Sequence, residues 1–459
     1  MSFSHRVRAA AIGAIASLGF AAPSAAPVVA SAAFHPVPAV TGHVEVAGLD
    51  FPPTTAFCRQ NLHIACYQPF QLQRAYDLGP LFKRGIDGRG RTIVIVDAFG
   101  SPTMKEDLQT FDRTFGLPDP PSFRVIQPAG AVPPFPQDPF GVADRLGWGV
   151  ETSLDVEWAH SMAPGANILL VETPQSETEG VQGFPEIVTA EKFVIDHNLG
   201  DVISQSFGAT EETFPSRDAL LDLRGAFVSA ARHHVPVLAS SGDNGVASQM
   251  LDGTCCFPFQ ANSWPTSDPL VVSIGGTTLN LDDAGMRLSP DVGWKGSGGG
   301  PSHVFARPRF QEDVRRVVGH ARGTPDISLS ADPRGGAVTF WSFTADPAVT
   351  KPHWSVVGGT SEASPLFAGV VALASQVAHH RISNLDGRLY ELRERDRSGI
   401  VDVTQGNNTA TFCQSQCRTP QEVDVTIPGF AATRGYDLIT GLGTVDGARF
   451  VPALARGDD

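Results

Sequence analysis

Positive charge is scarce in this chain. Of its 459 residues, 34 are Lys or Arg against 48 Asp or Glu, which leaves a net charge of -14 and a pI near 5.3. Nucleic acid and anionic membrane surfaces select basic patches, so neither is an expected partner. Long apolar runs are missing as well. The stretch Ala9 to Phe20 follows Arg6 and Arg8 and is too short to anchor in a bilayer, and Ala30-Ser31-Ala32 offers small residues for cleavage. Residues 1–32 therefore read as a signal peptide. No second long apolar segment follows, and no cysteine stands near the cleavage site to take a lipid. A monomer exported to the extracellular space or periplasm, with no membrane association after cleavage, is expected.

Two further absences bear on chemistry. No His-Gly-Thr or similar motif offers the histidine of a Ser-His-Asp triad; His160, His233, His234 and His353 lie in contexts that suit helix-surface or core side chains. The six cysteines lack paired Cys-x-x-Cys knuckles, which argues against zinc. Their clustering as Cys58 with Cys66, Cys255 with Cys256, and Cys413 with Cys417 suits local bridges in an oxidising compartment. The adjacent Cys255-Cys256 pair is open to three readings: a vicinal bridge, two free thiols, or partners for other cysteines.

What is present begins with Gly358-Gly359-Thr360-Ser361-Glu362-Ala363-Ser364-Pro365, which runs into the apolar Leu366 to Ala374. Glycines permit a tight turn, and a serine at a helix N-terminus sits beside unpaired N–H groups able to receive an oxyanion. Pro365 suits a first helical turn. A serine needs an adjacent base. One candidate lies in the segment 149–160, where Leu154, Trp158 and Met162 recur at the spacing of an amphipathic helix and Glu151 and Asp155 share a face. Desolvated together, two such carboxyls would hold one proton between them; solvated, they would be an ordinary acidic surface. A third element is the strand-like Val237 to Ser240 followed by Ser241-Gly242-Asp243-Asn244-Gly245. Asp243, if protonated, could donate to a developing oxyanion, or it could simply make a turn.

Between these motifs strand-like and helix-like runs alternate. Thr92 to Val96, Asn167 to Val171, Val202 to Ser206 and Val271 to Ile274 read as strands. Lys105 to Phe115, Ile187 to His197 and Asp218 to His233 read as helices. The fold class is α/β, a mostly parallel sheet with helices on both faces. Ala129 to Pro139 reads as loop.

Glu151-x-x-x-Asp155, Ser-Gly-Asp243 and Gly-Thr-Ser361-x-x-x-Pro, in this order and spacing, resemble the sedolisin family of serine-carboxyl peptidases. Ser297-Gly298-Gly299-Gly300-Pro301-Ser302 with Phe305, and Arg322-Gly323-Thr324-Pro325-Asp326, resemble two further motifs of that family. The resemblance runs from about Tyr67 to the C-terminus and implies a subtilisin-like fold. It implies that Ser361 is the nucleophile, Glu151 the general base, Asp155 its orienting partner and Asp243 the oxyanion acid. Protein or peptide substrates and an acid optimum, at roughly pH 3 to 5, follow. Ser204-Gln205-Ser206-Phe207-Gly208 resembles the family's cleft-lining strand. The resemblance also implies one calcium ion held by Asp402, Asp437 and the carbonyls of Val403, Thr433 and Gly435, with Thr433 standing where that loop usually has glycine. The expected division is a signal peptide (1–32), a short N-terminal segment as candidate propeptide (33–57), and a peptidase domain (58–459). The residues between the cleavage site and the domain are too few for a separately folded propeptide, so autoactivation does not carry over. A catalytically silent, calcium-binding secreted protein on the same fold is the alternative.

Overall fold

The computed structural model describes residues 44–46, 51–137, 142–253, 255–346, 348–393, 397–413 and 424–456. The signal-peptide reading and Cys417 lie outside the described residues. The chain divides into Met1–Ala32 and Ala33–Asp459, and everything below concerns the second unit.

Eight strands form the central sheet: β1 (Thr92–Ala98), β2 (Phe123–Ile126), β3 (Asn167–Thr173), β4 (Val202–Gln205), β5 (Val237–Ser240), β6 (Val272–Thr278), β7 (Val292–Gly293) and β8 (Ile327–Ser330). Their order is β7-β6-β5-β4-β1-β3-β2, with β8 also bonded to β6. Only β6 and β7 pair antiparallel. The helices that matter are α1 (Met104–Phe115), α2 (Val142–Met162), α3 (Phe184–Asp196), α4 (Gly225–His233), α5 (Thr360–Ala378) and α6 (Gly447–Ala455).

The period-2 alternation of a strand sorts its side chains onto two faces. In β1, Ile93 and Ile95 join the core that contains Leu154 and Trp158 of α2 and Leu366 and Val370 of α5. Val94 and Val96 join the other, with Ile187 and Val194 of α3 and Phe227 of α4. In β3, Ile168 and Leu170 face the first core, Leu169 and Val171 the second. Because both faces are covered, these strands read as continuous apolar runs.

Two expectations change. Over its second half helix α2 is not amphipathic: Glu151 through Met162 are buried all round, so Glu151, Asp155 and Glu157 face no solvent. The single helix expected over 218–233 is broken into Arg217–Leu221, a 3-10 turn at Asp222–Arg224, and α4. Gly225 is a poor helix former, and the Arg224 guanidinium turns aside to grip Asp268 at 2.5 and 2.8 Å. Val44–Val46 pairs antiparallel with β10 (His353–Val357), itself hairpin-paired with β9 (Gly335–Trp341). Strand β10 leads through Gly358-Gly359 straight into α5. Cys58–Cys66 and Cys255–Cys256 are bridged, which settles the vicinal pair, and Cys413 is disulfide-bonded.

Candidate active site

The carboxyl ends of β1, β4 and β5 lie side by side, with Val96 opposite Gln205 and Gln205 opposite Ala239. Ligand sites in open α/β sheets form at this edge. Ser206 follows β4, Asp243 follows β5, and Asp97 stands near the end of β1.

Ser361 is the second residue of α5, whose first sixteen residues are all buried. Gly359 caps the helix with φ of 124°, a conformation that a side chain would strain. Pro365 falls in the second turn, not the first as the sequence suggests. Its missing N–H deprives the Ser361 carbonyl of its helical donor. The Ser206 hydroxyl approaches that carbonyl at 3.4 Å and lies 2.9 Å from Asp155 Oδ1. Having one proton, it donates mainly over the shorter path, to Asp155.

Glu151 and Asp155 lie one turn apart on α2, both with no exposed surface. Burying an isolated carboxylate costs several kcal/mol, so such groups keep a proton instead. Burial holds both well above the ordinary carboxyl range. Asp97 then Asp243 and Glu177 push Glu151 further, while the Ser361 hydroxyl pulls it back; Asp97 then Glu151 act on Asp155. Ser361 Oγ and both Glu151 oxygens nonetheless meet no partner at hydrogen-bond geometry. The hydroxyl faces the carboxyl without closing on it, as catalytic contacts often do before substrate tightens them.

Asp243 Oδ1 accepts from the Thr360 backbone N–H at 2.7 Å and from its hydroxyl at 2.9 Å, and Thr360 Oγ1 accepts from Gly242 N at 3.0 Å. This ties the loop after β5 to the residue preceding Ser361. The Ser-Gly-Gly-Gly motif lies behind that loop. A Cβ on Gly298 would fall 2.0 Å from the Ser241 carbonyl oxygen, and Gly298 N donates to Gly242 O at 2.8 Å. The glycine is there so that two backbones can touch. The Arg322–Asp326 motif is elsewhere in the core, a bidentate ion pair at 2.7 and 2.5 Å.

Sequence reasoning missed Asp97. It is fully buried, pushed up to about 7 by burial foremost, and neither of its oxygens meets a hydrogen-bond partner. The Thr152 hydroxyl, which would oppose that rise, gives its proton to the Trp148 carbonyl at 2.8 Å. An aspartate closing an apolar strand at the sheet's carboxyl edge was the available signal. Ser206 and Thr360 were also passed over as individual residues. His160 takes no part in this cluster, being buried against Asp112 at 3.3 Å and the Pro118 carbonyl at 2.8 Å.

The calcium residues fall on one loop cluster. Gly435 N donates to Asp402 Oδ2 at 3.0 Å, and Asp437 accepts from Thr433 N at 2.9 Å and Thr440 N at 2.8 Å. Among the described residues, no backbone hydrogen bond ends on the carbonyls of Val403, Thr433 or Gly435. Two carboxylates and three open carbonyls fit a hard, oxygen-seeking cation. No group of three or more His, Cys, Asp or Glu that could hold a metal occurs among the described residues. Asp402 and Gly435 line a hollow that they share with Arg393, Arg397, Arg434 and Arg449.

The family profile described as the subtilase family matches residues 149–407. Kumamolisin of Bacillus sp. (strain MN-32) is 30% identical over 400 residues, covering 84% of this chain and 63% of that protein. Tripeptidyl-peptidase SED4 of Arthroderma otae is 31% identical over 322 residues, 64% of this chain and 50% of the relative. Tripeptidyl-peptidase 1 of Canis lupus familiaris is 28% identical over 325 residues, 67% and 52%. The chain thus spans about half to two thirds of the length of these curated relatives. Among solved structures, Pseudomonas sedolisin, a serine-carboxyl proteinase complexed with two molecules of pseudo-iodotyrostatin, superposes with a TM-score of 0.68 at 25% identity, covering 86% of this chain and all of that one. A profile that covers more than half of the sequence, together with these relatives, places the chain in the subtilase family and, within it, among the sedolisins.

Proposed function

We propose that this chain is a serine-carboxyl peptidase that hydrolyses peptide bonds of protein or peptide substrates in acid solution. The observation that carries the reading is the convergence of Ser361 with three buried acids, Glu151, Asp155 and Asp243, in a cluster where no histidine takes part. Ser361 Oγ attacks the scissile carbonyl as Glu151 takes its proton. Asp155, oriented by Ser206, holds a proton against Glu151 and tunes it. Protonated Asp243 donates to the oxyanion of the tetrahedral intermediate beside the Ser361 backbone N–H. Glu151 returns its proton to the leaving amine, and water then resolves the acyl-enzyme.

Export follows from residues 1–32 as a signal peptide; among the described residues no helix is long and apolar enough to cross a membrane. Calcium belongs to the reading as a structural ion. Asp402, Asp437 and the carbonyls of Val403, Thr433 and Gly435 would hold it, and it would fasten two loops far along the chain from Ser361.

The test is hydrolysis of a denatured protein across ~pH 3 to ~pH 7, comparing the intact chain with Ser361→Ala and Glu151→Gln. Acid-dependent cleavage abolished by both substitutions is expected. Because Glu151 must lose its proton to act and burial raises its pKa, the acid limb should lie above that of an ordinary carboxyl. Cleavage undiminished at neutral pH, or surviving Glu151→Gln, would overturn the carboxylate mechanism.

A further inference from the structure

Beside Asp243 lies a pocket walled by Phe207-Gly208 on one side and Ser240 to Gly245 on the other, and closed by Glu177 and Glu179. Its position fixes which part of a substrate reaches it. Asp243 is the group assigned to the scissile carbonyl oxygen, and the side chain nearest that oxygen belongs to the residue that carries the carbonyl. The pocket therefore receives the residue immediately N-terminal to the cut.

The two glutamates are not equivalent. Glu179 is spent on the neighbouring segment 210–213: Oε2 accepts from Thr210 N at 2.9 Å and from the Thr213 hydroxyl at 3.0 Å. Glu177 is 1% exposed and its Oε2 has no partner, and the Ser241 hydroxyl on the opposite wall has none either. The loop that carries Glu177 is held in place from both sides. Ser176 Oγ donates to Asp144 at 2.9 Å, and Thr178 N donates to the Gln182 carbonyl at 2.9 Å. The remaining lining is Ser248, Gln249, Ser263, Asn244 and small residues, with no Lys or Arg. A buried carboxyl oxygen and a hydroxyl left open across a pocket are costly until a ligand supplies donors.

We propose that Glu177 is a specificity residue, and that this pocket selects substrates with lysine or arginine on the N-terminal side of the scissile bond. This rests on the peptidase reading above. A long side chain ending in N–H donors reaches Glu177 Oε2, and its charge is balanced by Glu177 once that carboxyl releases its proton, beside the acids Glu179 and Asp243. A glutamate side chain would add another acid to them. Burial first, then Asp144, Glu179 and Asp97, hold Glu177 protonated while the pocket is empty. An entering ammonium or guanidinium reverses that balance and leaves a desolvated ion pair.

The experiment uses the full chain and one peptide series that differs only at this position: Lys, Arg, Leu and Glu. We expect kcat/KM for Lys and Arg to exceed Leu by about 10-fold or more, with Glu lowest, a separation in line with a buried polar site built for hydrogen bonding. Glu177→Gln should collapse the Lys-to-Leu ratio, and Glu177→Arg should turn the preference toward Glu, a gain that misfolding cannot imitate. Cleavage of Leu as well as or better than Lys by the intact chain overturns the specificity while leaving the peptidase reading standing. So does a ratio unmoved by both substitutions. Cleavage of none of the peptides, with a denatured protein also left intact, overturns both.

Discussion

Two buried acidic clusters in this molecule are neutralised in opposite ways. Asp326 meets the Arg322 guanidinium on both oxygens and also accepts from Tyr390 Oη at 2.8 Å and Ser273 N at 2.8 Å, so both of its oxygens are paired. Glu151 and Asp97 have four oxygens without a partner among the described residues, Asp155 has one more, and the charged neighbours that act on Glu151 and Asp155 are other acids. A guanidinium fixes a charge permanently, whereas a proton can leave. The first arrangement makes a core element and the second makes a group that can take and return a proton during a reaction.

The largest effect that would sharpen this contrast is on turnover. Glu151→Gln removes the proton acceptor and should lower kcat/KM by about 10⁴-fold or more. Its unfolding free energy at neutral pH should hold or rise, since an amide needs no proton to be buried. A large loss of stability would show that Glu151 is a structural acid like Asp326. Next in size, Arg322→Met strands Asp326 and should cost about 3–5 kcal/mol in denaturant unfolding. A cost near zero would erase the distinction between the clusters.

The third expectation concerns pH. Burial raises Asp97 to about 7, Asp107 to about 6 and Glu191 to about 8, and drives Glu157 and Glu362 upward as well. The folded protein therefore holds protons that the unfolded chain releases. For raised carboxyl groups this stabilisation is complete below the unfolded value, ~4, and is lost as pH rises through the folded values. Melting temperature should fall from about pH 4 to about pH 8, and Glu191→Gln should flatten the upper part of that fall. A melting temperature that rises over this range would contradict the protonated state of these acids. The smallest effect should come from calcium. Chelation should lower the melting temperature by a few degrees, and Asp437→Asn should remove the response. No response to chelator in the intact chain would mean that the loop is held by its own amides alone.

The sheet was legible because β1, β3 and β4 are apolar on both faces and separated by helix-length segments. The candidate site was legible at Glu151, Asp155, Asp243 and Ser361, whose order along the chain resembles a known family. What sequence did not carry was burial. The i,i+4 spacing of Glu151 and Asp155 is the same on a wet helix as on a dry one, and only the packing of α2 between β1 and α5 decides which it is. Asp97 escaped because the strand was expected to end at Val96, and Glu177 because nothing local marks a loop acid as facing a cleft. The Pro365 turn was misplaced because helix starts shift by a residue or two with little change in local preference.

Helix α5 is the wall against which both α2 and the central sheet close, and it also carries Ser361. Local fraying cannot displace Ser361 without opening the core around Leu366, Phe367 and Val370. Backbone amides from Ala363 to Ala374, apart from Pro365, should therefore exchange with solvent deuterium only through the rarest, whole-molecule openings. Heat inactivation and loss of tertiary structure would then be one event seen by two probes.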